Sequence, residues 1–139
     1  MADTTNPISE VTEDACWGYL ASQEVGRLVT AIDGLPEVFP VNFVLDGESV
    51  VFRTAEGTKL HNLVVNEHIA FEIDGWDEEI GWSVVLHGRA EIVDDPEDLA
   101  RFAKMPLRPW VPTMKVNWVR LSADRMTGRR FEFGPEPTA

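Results

Sequence analysis

Apolar and polar residues alternate at every second position along much of this chain. The clearest run is 68–74, where Ile69, Phe71 and Ile73 fall on one face and His68, Glu72 and Asp74 on the other. That period predicts a half-buried strand. Residues 38–45 repeat it, with Phe39, Val41, Phe43 and Leu45 on one face and Pro40 and Asn42 on the other. A proline inside such a run predicts an edge strand or a local break in pairing. Further strands are predicted over 26–32, 49–54, 82–93 and 114–121, with 128–131 closing the ordered chain. Gly88, in the middle of 82–93, predicts a bend or bulge. Asp33-Gly34 and Asp46-Gly47 flank the 38–45 run. Two such turns predict an antiparallel meander.

Helical spacing interrupts the strands three times. Thr12 followed by Glu13 and Asp14 predicts a capped helix start, with Cys16, Trp17 and Leu20 on its inner face. Thr58 is expected to cap a second helix carrying Leu60, Leu63 and Val64 as its apolar stripe. Asp95, Pro96 and Glu97 predict a third, with Leu99, Phe102 and Ala103 buried. Residues 75–81 read as an acidic loop bearing Trp76, and 106–112 as a proline-broken segment bearing Trp110. The expected organisation is a flexible start over 1–11, one domain over 12–133 and a flexible tail over 134–139. Many antiparallel strands with short helices predict a mainly β fold, a β-barrel patched by helices.

Charge narrows the functional classes. The 139 residues hold 24 Asp plus Glu against 12 Lys plus Arg, a net charge of −12. Long-range attraction to nucleic acid or to an anionic membrane is not expected, so any anion must be held by a few placed cations. The single cysteine, Cys16, precludes an internal disulfide framework and reads as a packed thiol. No run has the length of a membrane span, and the acidic start has no leader-like pattern, so a cytoplasmic protein is the expectation. The three histidines, His61, His68 and His87, lack ligand spacing, and no metal is expected.

One junction stands out chemically. Arg53 and Thr54 end a strand, and Gly57, Thr58 and Lys59 open a helix. Helix N-terminal N–H groups and the positive end of the dipole, beside an arginine and a lysine, suit a phosphate. From the residues alone, Arg53 and Lys59 read equally as a phosphate cradle or as solvated surface charges.

The ordered series Cys16-Trp17, Val25 to Leu28, Asp33 to Pro36, Pro40 to Phe43, Phe52 to Thr54 and Gly57 to Leu60 resembles the pyridoxamine 5'-phosphate oxidase-like flavin-binding split barrels. The likeness is to the branch of small nitroimidazole-reductase-like flavoproteins. Trp82 to Val84, Gly88 to Ala90 and Gly128 to Arg130 are in keeping with it.

The resemblance implies a six-stranded antiparallel split barrel acting as a homodimer, with FMN at the interface. It implies that Arg53, Thr54, Thr58 and Lys59 hold the flavin phosphate and that Pro40, Val41 and Asn42 run along the ring. Trp82 and Ser83 would contact the cofactor from the long strand, and Arg129 or Arg130 would close the site from the partner chain. Trp110 is a candidate wall over the ring. The implied function is an oxidoreductase that reduces a small organic substrate, with a nicotinamide electron donor. A deazaflavin, served by Arg27, Arg129 and Arg130, or a haem ligated by His61, are alternative cofactors. A flavin-binding module without catalysis is an alternative role. The chain ends in Arg-Arg-Phe-Glu-Phe over 129–133 rather than the Arg-Leu-His signature of the true oxidase, so oxidation of vitamin B6 is not expected.

Overall fold

The computed structural model describes residues 6–111 and 113–138. Along the chain lie β1 (Ile8–Val11), α1 (Glu13–Ala21), β2 (Val25–Ile32), β3 (Leu35–Asn42), β4 (Val44–Leu45), β5 (Ser49–Thr54), α2 (Thr58–Val65), β6 (His68–Trp76), β7 (Ile80–Val93), α3 (Pro96–Phe102) and β8 (Asn117–Glu132). All strands pair antiparallel in one sheet of order β3-β2-β6-β7-β8-β5-β4, with β1 added to β8.

Local chemistry accounts for most of these elements. The hairpin β2–β3 turns at Asp33 and Gly34, whose φ values of 51° and 78° suit a two-residue turn matched to strand twist. Pro36 and Pro40 sit on β3, an edge strand of the sheet, where a missing N–H breaks no ladder on the open side. Thr12 caps α1 by accepting from the Ala15 N–H, and Asp95 caps α3 by accepting from the Asp98 N–H. The register of β7 against β8 slips between His87 and Gly88. A Cβ on Gly88 would stand 1.8 Å from the Ser122 carbonyl oxygen, so only glycine fits the bulge.

The sheet curls because of Phe43. This single residue links β3, at one end of the strand order, to β4, at the other. One residue spans only about 3.5 Å, so the two edges must lie side by side. The Asp-Gly turns thus build two hairpins at opposite edges of the sheet, not the meander expected from sequence. The result is a curled half-barrel split at residues 42–44. Inside it pack Leu28, Phe43, Val50, Phe52, Phe71, Ile73, Leu86 and Leu121, joined by Cys16 and Leu20 of α1. A second, smaller cluster of Val51, Val93 and Phe102 holds α3 against the outer face.

Several expectations are corrected. Among the described residues the sheet has eight strands, not six, because β1 and the two-residue β4 add to it. Residues 8–11, read as part of a loose start, are β1, paired from Ile8 opposite Phe131 to Val11 opposite Gly128. Thr58 is not a cap: Gly57 holds that position and Thr58 is the first helical residue. Val64 is exposed, and Asn62 takes the inward place in α2. Gly75 and Trp76 belong to β6, which shortens the acidic loop to 77–79, where Asp77 accepts from the N–H groups of Glu79 and Ile80. Ala103 is exposed. Residues 114–116 precede the last strand, which runs unbroken over Asn117–Glu132.

Candidate functional site

The β5–α2 junction forms one wall of a cavity of about 240 Å³. Arg53 near the end of β5 and Lys59 in the first turn of α2 line it. Pro40, Val41 and Asn42 form a second wall from the β3 edge. Curling brings these walls together, since β3 and β5 lie far apart in strand order yet within 8 Å, Cα to Cα.

A strap that follows α3 closes the third side, through Leu107, Pro109, Val111, Thr113 and Lys115. Pro106, Arg108 and Trp110 face elsewhere. Pro106 and Arg108 line a separate cavity of about 420 Å³ beside Leu20 and Phe43, and Trp110 lines a third one with residues 21–25. Over 106–110 the alternation is that of extended chain, which the fixed φ of Pro106 and Pro109 favours. The strap is tied down by the Trp110 N–H, which donates to Asn42 Oδ1 at 2.9 Å.

Among the described residues lining the cavity are three cations, Arg53, Lys59 and Lys115, and no carboxylate. Burial pushes the Lys59 ammonium below its ordinary pKa, and Lys115 adds to the shift by repulsion. Lys59 Nζ lies 5.7 Å from the centre of the Phe39 ring, and the Arg53 guanidinium 5.2 Å from that of Trp118. Two buried donors of the lining residues, Arg53 Nε and Asn42 Nδ2, have no partner among the described residues. A buried unpaired donor costs about 1–3 kcal/mol until an acceptor meets it.

Of the residues singled out from sequence, Pro40, Val41, Asn42, Arg53 and Lys59 therefore share one cavity. Thr54 does not line it and is buried, its hydroxyl donating to the Ala55 carbonyl at 3.2 Å. Thr58 stands exposed at the helix start. Trp82, Ser83 and Arg130 lie elsewhere in the same chain, on β7 and β8, where Trp82 pairs with Arg130 and Ser83 with Arg129. Trp82 stacks on Tyr19 at 4.3 Å. Trp110 is 69% exposed and faces away from the cavity, which its odd-numbered neighbours line. Sequence reading missed Lys115 and the strap; the spacing of Pro106 and Pro109 was the one local signal of an extended, two-faced segment.

The profile of the pyridoxamine 5'-phosphate oxidase family matches residues 12–130. The chain belongs to that family. Among family-like proteins, an uncharacterised Mycobacterium tuberculosis protein, Rv3129, is 39% identical over 94 residues, 68% of this chain and 86% of that one. The structure of a candidate pyridoxamine 5'-phosphate oxidase of Corynebacterium glutamicum superposes with a TM-score of 0.83 at 34% identity, covering 97% of this chain and 100% of the other. The structure of an FAD-binding protein of Mycobacterium smegmatis gives 0.80 at 42% identity, over 90% and 99%. A candidate 5-nitroimidazole antibiotic resistance protein of Bacteroides thetaiotaomicron shares the fold, at 0.74 and 15% identity over 91% and 90%. No described helix is long and apolar enough to cross a membrane.

Proposed function

We propose that this family member binds a flavin nucleotide, FMN in the first instance, with its phosphate on Arg53 and Lys59, and acts as an oxidoreductase on a small organic substrate. The observation that carries the reading is the concentration of Arg53, Lys59 and Lys115 around one cavity in a chain of net charge −12, with Arg53 Nε and Asn42 Nδ2 left unpaired. A phosphate supplies the missing charge and acceptors. Arg53 offers it a rigid fork, Lys59 a compact charge and the start of α2 its free N–H groups. Bound flavin would supply the hydride chemistry, and the protein its position and electrostatics. The M. smegmatis neighbour binds FAD, and a cradle that grips one phosphate accommodates either nucleotide.

The cavity, at about 240 Å³, is below the usual 300–1,000 Å³ range of small-molecule sites. It suits a phosphate and its sugar-like chain, with the ring reaching beyond the single chain. Trp82, Ser83 and Arg130 belong to a different region of that chain, so a second copy is what would bring them to the ring. The exposed apolar side chains of Trp110, Val111, Met114 and Val116 on the strap, between 58% and 83% accessible, favour such a covering partner. Deazaflavin is the weaker reading, because Arg27 is already committed to Asp74 at 3.0 Å and Glu72 at 3.7 Å. Haem is weaker still, because His61 is exposed on α2 and does not line the cavity.

The test is an absorbance spectrum of the purified protein before and after loading with FMN or FAD and removal of the excess, with light scattering for mass. Retained flavin bands that bleach with NADH or NADPH under anaerobic conditions support the oxidoreductase. Flavin that no donor reduces supports a binding module, and failure to retain any flavin overturns the proposal.

A further inference from the structure

Asn42 is the last residue of β3 paired to β2, opposite Val25. Its Oδ1 accepts from the Trp110 N–H at 2.9 Å. A backbone N–H can only donate, so this contact fixes which end of the amide holds the strap. The Nδ2 end is thereby committed as a donor, and it is sealed from water with no partner among the described residues. The second unpaired group of the same cavity, Arg53 Nε, is also a donor. What the cavity lacks on both sides is an acceptor.

We propose that Asn42 is a specificity-determining residue: Nδ2 selects a ligand that presents a hydrogen-bond acceptor, a carbonyl oxygen or an unprotonated ring nitrogen, while Oδ1 holds the strap closed over it. This rests on the flavin reading and adds to it the hydrogen-bonding sense of the ligand edge and the residue that reads it. One planar amide then ties the ligand to the strap. A ligand that offers a donor at this point leaves Nδ2 unpaired and sets two donors facing each other.

Two variants separate the two ends of the amide. Asn42→Asp keeps an acceptor for the Trp110 N–H and removes the donor. Asn42→Leu removes both at similar volume. Binding of FMN and of riboflavin is followed by fluorescence quenching, and hydrogen exchange of the Trp110 amide by NMR. Riboflavin carries no phosphate, so its response to Asn42→Asp is free of repulsion between the new carboxylate and a phosphate. Both variants are expected to weaken riboflavin and FMN by about tenfold or more, the effect of losing one buried hydrogen bond. Only Asn42→Leu is expected to accelerate Trp110 exchange. Wild-type protein that binds flavin while Asn42→Asp binds riboflavin equally well overturns this inference alone. Unchanged Trp110 exchange in Asn42→Leu does the same for the strap contact. Wild-type protein that binds neither flavin overturns this inference together with the flavin reading.

Discussion

The Asn62 side chain donates to the Thr30 hydroxyl at 3.0 Å, and the two residues are only 3% and 1% exposed. This bond crosses from α2 to β2 and fixes the helix whose first turn carries Lys59. Removing one partner strands the other in an apolar surrounding, at about 1–3 kcal/mol, whereas removing both in matched shapes is close to neutral. Asn62→Leu is therefore expected to lower unfolding stability by that amount. Thr30→Val together with Asn62→Leu is expected to recover most of it. Urea unfolding of the four proteins in a double-mutant cycle measures the coupling.

Lys59 makes the site sensitive to alkali. In the free protein burial and Lys115 lower its pKa, so between that value and the ordinary 10.5 the folded chain holds fewer protons than the unfolded one. Stability of the free protein should rise with pH across that window. Flavin affinity should move the other way, because a bound phosphate needs the ammonium charged. Affinity for FMN is expected to fall as pH rises, beginning below the ordinary lysine range. Lys59→Met should flatten both trends and weaken FMN binding at neutral pH by roughly 10- to 100-fold, as the loss of a charged hydrogen bond does. Equal affinity in the variant would remove Lys59 from the cradle.

Features encoded within a few residues were legible before the structure. The Asp-Gly turns, the Thr12 and Asp95 caps, the edge proline Pro40 of β3 and the Gly88 bulge all depend on local backbone chemistry, and the inward face of 68–74 on simple alternation. What escaped depends on partners distant in sequence. Phe43 reads as one more inward residue of a strand, although it carries the chain between the two sheet edges. Asn62 lies outside the stripe of Leu60, Leu63 and Val64 predicted for α2, and its inward place depends on Thr30, 32 positions earlier. Ile8 to Val11 lack a core-facing pattern and become β1 only because β8 offers them an edge. The cradle was half legible: Arg53 and Lys59 flank a recognisable strand–turn–helix junction, while Lys115 arrives on a strap whose path is set by α3.

That strap is anchored through α3 by charge. Asp98 accepts from Arg120 at 2.8 Å and from Arg101 at 2.8 Å, and Arg101 also grips Asp46 at the β4–β5 turn. The Arg120 bond, then the Arg101 bond, holds the Asp98 carboxyl below its ordinary value of 3.8, and Arg101 does the same to Asp46. A carboxylate with a lowered folded-state pKa lends stability that is present above 3.8 and is lost as pH falls through the lowered value. Acid should therefore loosen α3 and the strap below about pH 4, the ordinary carboxylate range. Asp98→Asn is expected to unfold more readily at neutral pH and to show a shallower acid dependence. Thermal unfolding against pH for both proteins checks the pair of slopes.

Gly57 opens α2 with φ 154° and ψ −168°. This lies in the region that glycine alone occupies readily, where another residue pays of order 1–3 kcal/mol. A Cβ built there meets nothing within 4 Å, so the cost of Gly57→Ala is conformational rather than steric. Two routes are open to the variant. It keeps the turn and loses stability by that amount, or it relaxes the turn and swings the first N–H groups of α2 and Lys59 away from Arg53. In the first case FMN affinity is preserved and the unfolding midpoint drops; in the second the midpoint is nearly kept and affinity falls. The packing of Leu60 and Leu63, 6% and 4% exposed, and the Asn62–Thr30 bond hold the helix in place against relaxation. The expected outcome is the first, a destabilised protein that still binds FMN, read by thermal unfolding and flavin titration on the same sample. A stable variant with tight binding would show that the junction tolerates a side chain and that its geometry is not set by glycine.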